Sequence, residues 1–369
     1  MRVYTGHWIM YNADYLAVGA GRFTYMVVVM QPNATPQQVD DVVAKVKELG
    51  FRPHPIRGVE KTVVAVIGTG AYDAAPIFEA MPGVDRAVPI GQPYKLAGSD
   101  VKAEKTQTII GDVVVGGEEV VVIAGPCAVE SREQLFRTAE IVQEAGGRIL
   151  RGSAFKPRTS PHDFQGLGQE GLDLLKEVRA KLGLYVVTEV MAVSDLPAVE
   201  EAADCLQIGA RNMQNFDLLS AVGASSRPVL LKRGMSALVD DLIKAAEYVM
   251  LGGNQNVILC ERGIRTFELA TRFTLDISAI PVLRRLSHLP VVVDPSHAAG
   301  DDQYVPALCK AAIAAGADGV FVEVHCSPET ALCDGPQALH PDDFRRMMKE
   351  LPAFAQAAGR KLTLAPAPS

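Results

Sequence analysis

The stretch VVVIAGPCAVES, residues 120–131, contains an apolar run that no polar residue interrupts before Pro126 and Cys127. A strand with one face in water alternates apolar and polar residues, whereas this run is apolar at every position. Such continuity is typical of a parallel strand that is buried on both faces by covering helices. The stretch therefore predicts a parallel sheet, with polar chemistry beginning where the strand ends.

Seven more apolar runs of similar length follow along the chain. They read RILRGS (148–153), LYVVTE (184–189), CLQIGA (205–210), PVLLKR (228–233), NVILCE (256–261), PVVVDP (290–295) and GVFVEV (319–324). Stretches with helical periodicity separate them. Eight buried strands alternating with helices predict a (β/α)8 TIM barrel. An open doubly wound sheet is the alternative, but it usually has fewer strands and a glycine-rich phosphate motif after the first, which this sequence lacks.

The composition is that of an ordinary soluble chain of 369 residues, with 48% hydrophobic and 21% charged residues. The net charge of −7 gives no reason to expect nucleic acid or an anionic membrane as a partner. No apolar run is long enough to span a bilayer, and the first residues lack the pattern of a signal peptide. The six cysteines are scattered, which favours a reducing cytoplasm. The spacing of Cys326 and Cys333 nevertheless permits a redox pair.

Residues 26–90 predict a smaller domain with the order β-α-β-β-α-β, the ferredoxin-like arrangement. Its first helix has a clear start, because Thr35 and Gln38 flank Pro36 as in a capping box. The domain is either a structural appendage or a ligand-sensing module. The predicted boundaries are a loose N-terminal extension at 1–25, a ferredoxin-like domain at 26–96, a linker and a hairpin turning at Gly116–Gly117 at 97–119, and the barrel at 120–369.

Charged residues collect where the predicted strands end, which is where the active sites of such barrels lie. Six of them are the cations Arg151, Lys156, Arg158, Arg211, Lys232 and Arg262. Guanidinium groups bind phosphate and carboxylate oxygens in pairs, and one phosphate monoester needs fewer than six cations. The set predicts two phosphorylated substrates, or one substrate with both a phosphate and a carboxylate. Salt bridges at the edge of the barrel are the alternative for any single arginine.

A second group of strand-end residues offers a thiol, an imidazole and two carboxylates, from Cys127, His297, Glu323 and Asp334. This mixture of donors suits a divalent transition metal. A closed barrel places its first strand beside its last, so ligands far apart in sequence can meet. An inert buried thiol is the alternative for Cys127. His325 is left out of the group, because its place two residues after Glu323 would be explained equally well by a structural hydrogen bond.

Seven ordered motifs resemble the type I beta family of 3-deoxy-D-arabino-heptulosonate 7-phosphate (DAHP) synthase. They are GPCAVES, FKPRTSPHDFQGLG, QIGARNMQN, LLKRG, LCERGIRTFE, VDPSHAAG and EVHCSPETALCDG. The resemblance covers the barrel and extends to the ferredoxin-like domain. It implies a transferase, 3-deoxy-7-phosphoheptulonate synthase. This enzyme condenses phosphoenolpyruvate with erythrose 4-phosphate in the first step of the shikimate pathway to aromatic amino acids.

The resemblance also implies roles for individual residues. The metal ligands would be Cys127, His297, Glu323 and Asp334, around one divalent ion of manganese, iron, cobalt or zinc. The substrate residues would be the cations Arg151, Lys156, Arg211, Lys232 and Arg262 for phosphoenolpyruvate and Pro157, Arg158, Thr159 and Ser160 for erythrose 4-phosphate. Glu189 is a further expected substrate-binding residue, without assignment to either substrate. Cys127, His297 and Lys156 are the expected catalytic residues. Lys156 is expected to donate a proton because a lysine among arginines should have a lowered pKa, and a metal-bound water is the alternative.

The small domain is expected to bind an aromatic amino acid effector, tyrosine or phenylalanine, in a dimer or tetramer of identical chains. Two rival functions remain. The sister enzyme that makes 3-deoxy-octulosonate 8-phosphate from arabinose 5-phosphate has a similar barrel, but its loop typically reads Lys-Ala-Asn-Arg rather than the KPR of residues 156–158. A catalytically silent sensor is the other rival, and the intact metal and cation sets count against it.

We expect Arg158→Ala to raise the KM for erythrose 4-phosphate about ten- to hundredfold, because a charge-assisted hydrogen bond to phosphate contributes roughly 1.5–3 kcal/mol. The KM for phosphoenolpyruvate is the internal control and should change much less. Steady-state kinetics with each substrate varied in turn measures both constants. An equal rise in the two would contradict the assignment of this loop to the aldose phosphate.

Overall fold

The computed structural model describes residues 25–57, 62–68, 71–90, 94–157, 160 and 162–365. Within these ranges the chain forms two compact units, which divide between Pro93 and Tyr94. The predicted N-terminal extension, apart from its last residue, lies outside the described residues, as do Arg158 and Thr159. No helix in the described part of the chain is long and apolar enough to span a membrane.

The first unit is a four-stranded antiparallel sheet with strand order β2-β3-β1-β4 and two helices. Its elements are β1 (Tyr25–Met30), α1 (Pro36–Glu48), β2 (Arg52–Arg57), β3 (Thr62–Ile67), α2 (Ala75–Glu79) and β4 (Val84–Ile90). Helix α1 begins at the predicted capping box, where the side chains of Thr35 and Gln38 each accept a hydrogen bond from the other residue's backbone N–H. This order of elements confirms the predicted ferredoxin-like fold.

A short hairpin precedes the barrel, and its turn differs from the predicted one. Strands β5 (Thr108–Ile110) and β6 (Val113–Val115) are joined by a two-residue turn at Gly111–Asp112. Gly111 has a φ of +66°, a left-handed conformation that glycine adopts at little cost. The predicted turn at Gly116–Gly117 is therefore wrong, because these glycines connect β6 to the first barrel strand. Apolar residues of both hairpin strands join the cluster inside the barrel.

The second unit is a closed barrel of parallel strands, which confirms the predicted (β/α)8 TIM barrel. Its strands are β7 (Glu119–Gly125), β8 (Ile149–Arg151), β9 (Tyr185–Glu189), β10 (Cys205–Ile208), β11 (Val229–Lys232), β12 (Val257–Glu261), β13 (Val291–Val293) and β14 (Gly319–Glu323). Each strand pairs in parallel with the next, and β14 pairs with β7 to close the barrel. Every one of the apolar runs in the sequence corresponds to one of these strands.

Helices follow the strands and cover the outside of the barrel. They are α3 (Arg132–Glu144), α4 (Gln169–Leu182), α5 (Leu196–Ala202), α6 (Phe216–Gly223), α7 (Val239–Leu251), α8 (Ala279–Leu286), α9 (Pro295–Ala299), α10 (Val305–Ala314) and α11 (Pro341–Ala357). A last short strand, β15 (Lys361–Leu362), pairs in parallel with the beginning of β7. The main core lies between helices and strands, and a separate apolar cluster fills the barrel interior.

The segment before the hairpin packs on the barrel and is not a free linker. The carboxylate of Glu247, in α7, accepts hydrogen bonds from the backbone N–H groups of residues 95–97. Further along, Thr106 is buried, and its hydroxyl lies 2.8 Å from Nδ1 of His288. The sequence suggested a linker at 97–107 because the segment is polar and aperiodic. Its partners lie far along the chain, in α7 and in the segment that follows α8, and local polarity does not predict them.

Phe321, in the middle of β14, fills the barrel interior and is fully buried. We expect Phe321→Ala to lower the free energy of unfolding of the barrel by about 3–5 kcal/mol, because it removes apolar contacts and leaves a cavity. The matched control is Phe267→Ala, since Phe267 is 97% exposed and its loss should change stability by less than about 0.5 kcal/mol. Urea unfolding measures both effects, and equal midpoints for the two variants would contradict this packing.

Candidate active site

The four predicted metal ligands meet above the strand ends, although they are spread over the sequence. Their donor atoms, one each from Cys127, His297, Glu323 and Asp334, lie within 4.8 Å of one another. Glu323 ends β14, and Cys127 follows β7, its neighbour across the barrel closure. His297 lies in α9, directly after β13, and Asp334 lies in the loop after β14. We call these four residues the donor set.

The chemistry of the donor set fits a divalent transition metal. Cys127 Sγ lies 3.2 Å from Asp334 Oδ2, and His297 Nε2 lies 3.3 Å from Glu323 Oε1. A thiolate favours zinc, iron and other soft or borderline ions, whereas carboxylates also accept manganese. Calcium and magnesium prefer all-oxygen sites. The mixture of donors therefore points to the transition metals and away from the alkaline-earth ions.

The loop that carries Asp334 has an unusual backbone conformation. Asp334 has a φ of +54°, and within the described ranges it is the only residue other than glycine with a positive φ. Aspartate tolerates this left-handed conformation better than most residues do. Backbone strain of this kind is typical of functional sites, where the surrounding structure holds it in place. Here the strained residue is the one whose carboxylate approaches Cys127.

Asp294, which stands at a predicted strand end but received no role from the sequence, holds His297 in position. One of its carboxylate oxygens accepts the backbone N–H of His297 at 2.9 Å, and the other lies 2.8 Å from Nδ1 of the ring. Lys232 donates to that second oxygen at 2.5 Å. Burial raises the pKa of Asp294, but His297 and Lys232 together hold it well below its usual range. Because the Asp294 carboxylate lies at Nδ1 of the His297 ring, Nε2 remains available to bind a metal.

Two residues that the sequence did not reveal hold the carboxylates of the donor set. Gln337 donates to Glu323 Oε2 at 2.7 Å, and its own side-chain oxygen accepts from Arg272 at 2.8 Å. The Arg272 guanidinium also donates to Asp334 Oδ1 at 3.2 Å. Gln337 follows Asp334 by three residues, which is at most a weak signal. Arg272 lies in the long loop after β12, and no motif of the sequence relates it to the donor set.

Seven of the ten predicted substrate residues line one cavity of about 330 Å³ at the C-terminal end of the barrel. Those on its wall are Arg151, Lys156, Pro157, Glu189, Arg211, Lys232 and Arg262. His297 and Asp334 border the same cavity, so it connects the donor set with the cations. Two further cations that sequence reasoning missed, Arg265 and Arg272, also line it.

Two buried arginines have unused hydrogen-bond donors at this cavity. Arg151 Nη1 donates to Glu323 Oε1 at 2.7 Å, with both side chains almost completely buried. Arg151 Nε and Arg262 Nη1 have no hydrogen-bond partner among the described residues. Burial lowers the pKa of Arg262. Buried donors without partners are costly, so an anionic ligand is expected there. Arg233, by contrast, pairs with Glu261 at 2.8 Å and is a structural salt bridge.

Only some of the described residues of the loop KPRTS, residues 156–160, line the cavity. Lys156 and Pro157 line it. The hydroxyl of Ser160 accepts the backbone N–H of His162 at 3.3 Å, a contact within the loop. Arg158 and Thr159 lie outside the described residues, so their contact with an aldose phosphate stays a prediction.

The surroundings of Lys156 contradict the lowered pKa predicted for it. Its ammonium donates to the carbonyl oxygen of Cys127 at 3.1 Å and lies 3.0 Å from Cys127 Sγ. Burial alone would lower the pKa of Lys156, but a thiolate at Cys127 together with the Glu189 carboxylate outweighs burial and raises it above its usual range. The prediction counted the nearby arginines and overlooked these acidic groups. A lysine with a raised pKa is a poor proton donor near neutral pH.

Cys333 lies beside Cys127, which is a different pairing from the one that sequence spacing suggested. The two Sγ atoms are 3.4 Å apart, and both residues belong to one small buried cluster. Cys326 instead packs against the main core. The hydrogen bond with Cys333, together with burial, raises the pKa of Cys127 well above its usual value. A bound metal would reverse this effect, since it stabilises the thiolate.

His325 lies outside the donor set, as expected. Its Nδ1 accepts the backbone N–H of Ser327 at 3.0 Å, and its Nε2 lies 3.4 Å from a carboxylate oxygen of Glu130. The side chain is buried. His325 therefore has a structural role in the loop after β14.

The sequence profiles of two protein families match this chain. The profile of the DAHP synthetase I family matches residues 99–357. The profile of the DAHP synthase ferredoxin-like domain matches residues 26–92. Together they cover both structural units, and the first alone covers more than half of the chain.

Curated relatives and solved structures also match this chain. The phospho-2-dehydro-3-deoxyheptonate aldolase of Thermotoga maritima is 48% identical over 337 residues, which span 91% of this chain and 100% of the relative. A 2-dehydro-3-deoxyphosphooctonate aldolase of Syntrophobacter fumaroxidans is 36% identical over 255 residues, 64% of this chain and 88% of the relative.

The crystal structure of phospho-2-dehydro-3-deoxyheptonate aldolase (DAHP synthase) from Thermotoga maritima matches with a TM-score of 0.84 and 46% identity, over 92% of this chain and 100% of that chain. A truncated form of 3-deoxy-D-arabino-heptulosonate 7-phosphate synthase from the same organism matches with a TM-score of 0.68 and 48% identity, over 73% of this chain and 99% of that chain. The chain therefore belongs to the DAHP synthetase I family and carries the ferredoxin-like domain of DAHP synthases before its barrel.

Proposed function

We propose that this chain condenses phosphoenolpyruvate with erythrose 4-phosphate and water to give DAHP and phosphate. One observation carries the proposal: a donor set within 4.8 Å shares its cavity with buried arginines whose donors lack partners among the described residues. Family membership and the 48% identity with the Thermotoga maritima enzyme over 91% of the chain support the same activity. The enzyme is a transferase of the shikimate pathway.

The donor set would hold one divalent ion, and its chemistry admits manganese, iron, cobalt or zinc. When bound, the ion supplies a Lewis acid that polarises the aldehyde oxygen of erythrose 4-phosphate. The protein keeps the ligands oriented. Asp294 holds the His297 ring from Nδ1, and Gln337 holds the Glu323 carboxylate. Such outer partners commonly contribute about 10- to 100-fold to metal affinity or activity.

Phosphoenolpyruvate carries a phosphate and a carboxylate, which match the cations of the cavity. Arg262, whose Nη1 has no hydrogen-bond partner among the described residues, is our candidate for the phosphate. Arg151 keeps Nε for the carboxylate while Nη1 remains on Glu323. Lys232, held by Asp294, and the exposed Arg211 complete the binding wall. As the phosphate leaves, the same cations offset its charge without reorganising, which lowers the barrier.

We assign Lys156 to charge stabilisation and not to proton donation. Its raised pKa keeps the ammonium protonated near neutral pH. It lies on the cavity wall and 3.0 Å from Cys127 Sγ. From this position the ammonium can offset the charge of a ligating thiolate and that of the substrate together.

Erythrose 4-phosphate is the acceptor that the loop sequence favours. Pro157 and Pro161 restrict the unbound loop, so less entropy is lost when Arg158 and Thr159 bind the phosphate. The loop reads Lys-Pro-Arg, unlike the Lys-Ala-Asn-Arg typical of enzymes that use arabinose 5-phosphate. The phosphooctonate aldolase relative is also less similar, at 36% identity over 64% of this chain.

We further propose that the ferredoxin-like unit senses tyrosine or phenylalanine, in a cytoplasmic dimer or tetramer. Among the described residues, neither the donor set nor the cavity wall includes a member of this unit, so its presence needs another explanation. The profile that matches the unit is that of DAHP synthases. A stabilising appendage is the alternative.

We expect Cys127→Ser to weaken binding of zinc or manganese at least about 10- to 100-fold, because a hydroxyl replaces a thiolate ligand. The matched control is Cys309→Ser, which changes a buried cysteine of α10 outside the donor set. Equilibrium dialysis gives the metal affinity, and loss of enolpyruvate ultraviolet absorbance gives the activity. Circular dichroism checks the fold. Unchanged metal affinity and activity in Cys127→Ser would refute the donor set.

We expect tyrosine or phenylalanine to inhibit the full-length enzyme between about five- and 150-fold, the usual range of coupling between sites. A truncated chain that starts at Tyr94, where the barrel unit begins, should be active and insensitive. Activity is measured for both chains with and without each amino acid. The sensor proposal fails if the full-length enzyme ignores both amino acids, or if the truncated barrel is inhibited equally.

A further inference from the structure

Arg262 is a buried cation at the cavity without an acidic partner among the described residues. It follows β12 directly and is 5% exposed. Two other buried cations of the cavity wall are paired with carboxylates, Arg151 with Glu323 and Lys232 with Asp294. No described carboxylate forms an ion pair with Arg262, and its Nη1 has no hydrogen-bond partner there. The charge of Asp294 does not offset the effect of burial, which lowers the pKa of Arg262.

The ring of Phe273 provides a contact for this guanidinium. The ring centroid lies 4.3 Å from Arg262 Cζ, within the range of a cation–π interaction. Both residues line the cavity. A ring face stabilises the positive charge and leaves the N–H groups available, whereas a carboxylate would occupy two of them. The contact thus stabilises the buried charge without using the donors that an anionic ligand needs.

The loop after β12 sets the position of the ring. Ile264 and Thr274 pair across this loop, and each accepts the backbone N–H of the other, at 3.0 and 2.9 Å. Beside this pair, Phe273 donates its backbone N–H to the carbonyl oxygen of Ala298 at 2.8 Å. A Cβ at Gly263 would lie 2.8 Å from Phe273 Cβ and 2.9 Å from Ala298 Cβ. Backbone hydrogen bonds and close packing therefore hold the ring in place.

We propose that Phe273 is a positioning residue for phosphoenolpyruvate, because its ring holds the Arg262 guanidinium where the phosphate of this substrate binds. The identity of the ligand rests on the proposed function, in which Arg262 receives the phosphate. The contact between the ring and the guanidinium does not rest on it. Phe273 acts through Arg262 and needs no contact with the reacting atoms.

The same ring lies near a second arginine, which offers a competing role for it. Arg272 Cζ is 5.9 Å from the ring centroid, and the Arg272 guanidinium donates to Asp334 and Gln337. Arg262 is nearer to the ring and lacks such partners among the described residues. Loss of the ring should therefore disturb phosphate binding and leave the donor set intact. A role through Arg272 would instead change the metal affinity.

The first test is Phe273→Leu, which keeps apolar bulk and removes the ring. The Kd of phosphoenolpyruvate should rise about two- to thirtyfold, the effect typical of a cation–π contact. Isothermal titration calorimetry with the full-length, zinc-loaded chain measures this Kd in the absence of erythrose 4-phosphate. Phe273→Tyr keeps the ring and should bind as the unaltered chain does. Equal affinities of Phe273→Leu and the unaltered chain would overturn the proposal.

Steady-state kinetics separate positioning from a general loss of structure. In Phe273→Leu the KM for phosphoenolpyruvate should rise, whereas the KM for erythrose 4-phosphate and the zinc affinity should not change. The matched control is Phe267→Leu, in the same loop and 97% exposed, which should change neither KM. Equal rises in both KM values, or a loss of zinc affinity with unchanged binding of phosphoenolpyruvate, would contradict a role through Arg262.

A double-mutant cycle tests whether the ring acts through Arg262. Arg262→Gln removes the positive charge, so adding Phe273→Leu to it should weaken the binding of phosphoenolpyruvate little further. If the second substitution has its full effect in the Arg262→Gln background, the ring acts elsewhere and the proposal fails.

Binding and turnover together distinguish this proposal from the proposed function. An unaltered chain that binds phosphoenolpyruvate but does not consume it with erythrose 4-phosphate would refute the proposed function, while weaker binding by Phe273→Leu would still support the positioning role. Turnover by the unaltered chain, with equally tight binding of phosphoenolpyruvate by Phe273→Leu, would do the opposite.

Discussion

The parallel pairing of β14 with β7 is the contact on which the rest of the active site depends. Residues from Gly319 to Glu323 pair with those from Val121 to Gly125, which brings the end of β14 beside the segment that carries Cys127. Gly319 permits this closure, because a Cβ there would lie 2.5 Å from Val121 Cγ2 and 2.8 Å from its carbonyl oxygen. A slip of one residue would turn Glu323 to the other face of the sheet. The metal donors can therefore meet only in one register.

Closing the barrel also buries charges, and opposite charges offset much of the cost of that burial. Lys232 forms an ion pair with Asp294, and Arg151 forms one with Glu323. All four side chains are nearly inaccessible to water. Loss of one partner from such a buried pair strongly destabilises the protein. Donors that have no partner in the described part of the chain, such as Nη1 of Arg262, are available to the substrate's anionic groups. The same set of cations therefore contributes both to stability and to the binding wall beside the metal donors.

The fold was predictable because its signals are local. Apolar runs report burial on both faces, and the capping box at Thr35 marks the start of a helix within four residues. The members of the donor set were also predictable, since each stands at or after a strand end and a barrel gathers those ends. The hairpin turn was mispredicted because two glycine-containing pairs were available, and only strand pairing decides for Gly111–Asp112 over Gly116–Gly117.

The sequence by itself determined the barrel, the small domain, and the kinds of side chain that gather at the strand ends. Tertiary structure alone decided which of those groups touch. Gln337 and Arg272 hold the carboxylates of the donor set, the pKa of Lys156 is raised, and Cys333 contacts Cys127. No local sequence pattern predicts any of these features. The reason is physical: pKa values and contacts depend on distances of a few ångströms between segments far apart in sequence, and barrel closure sets those distances.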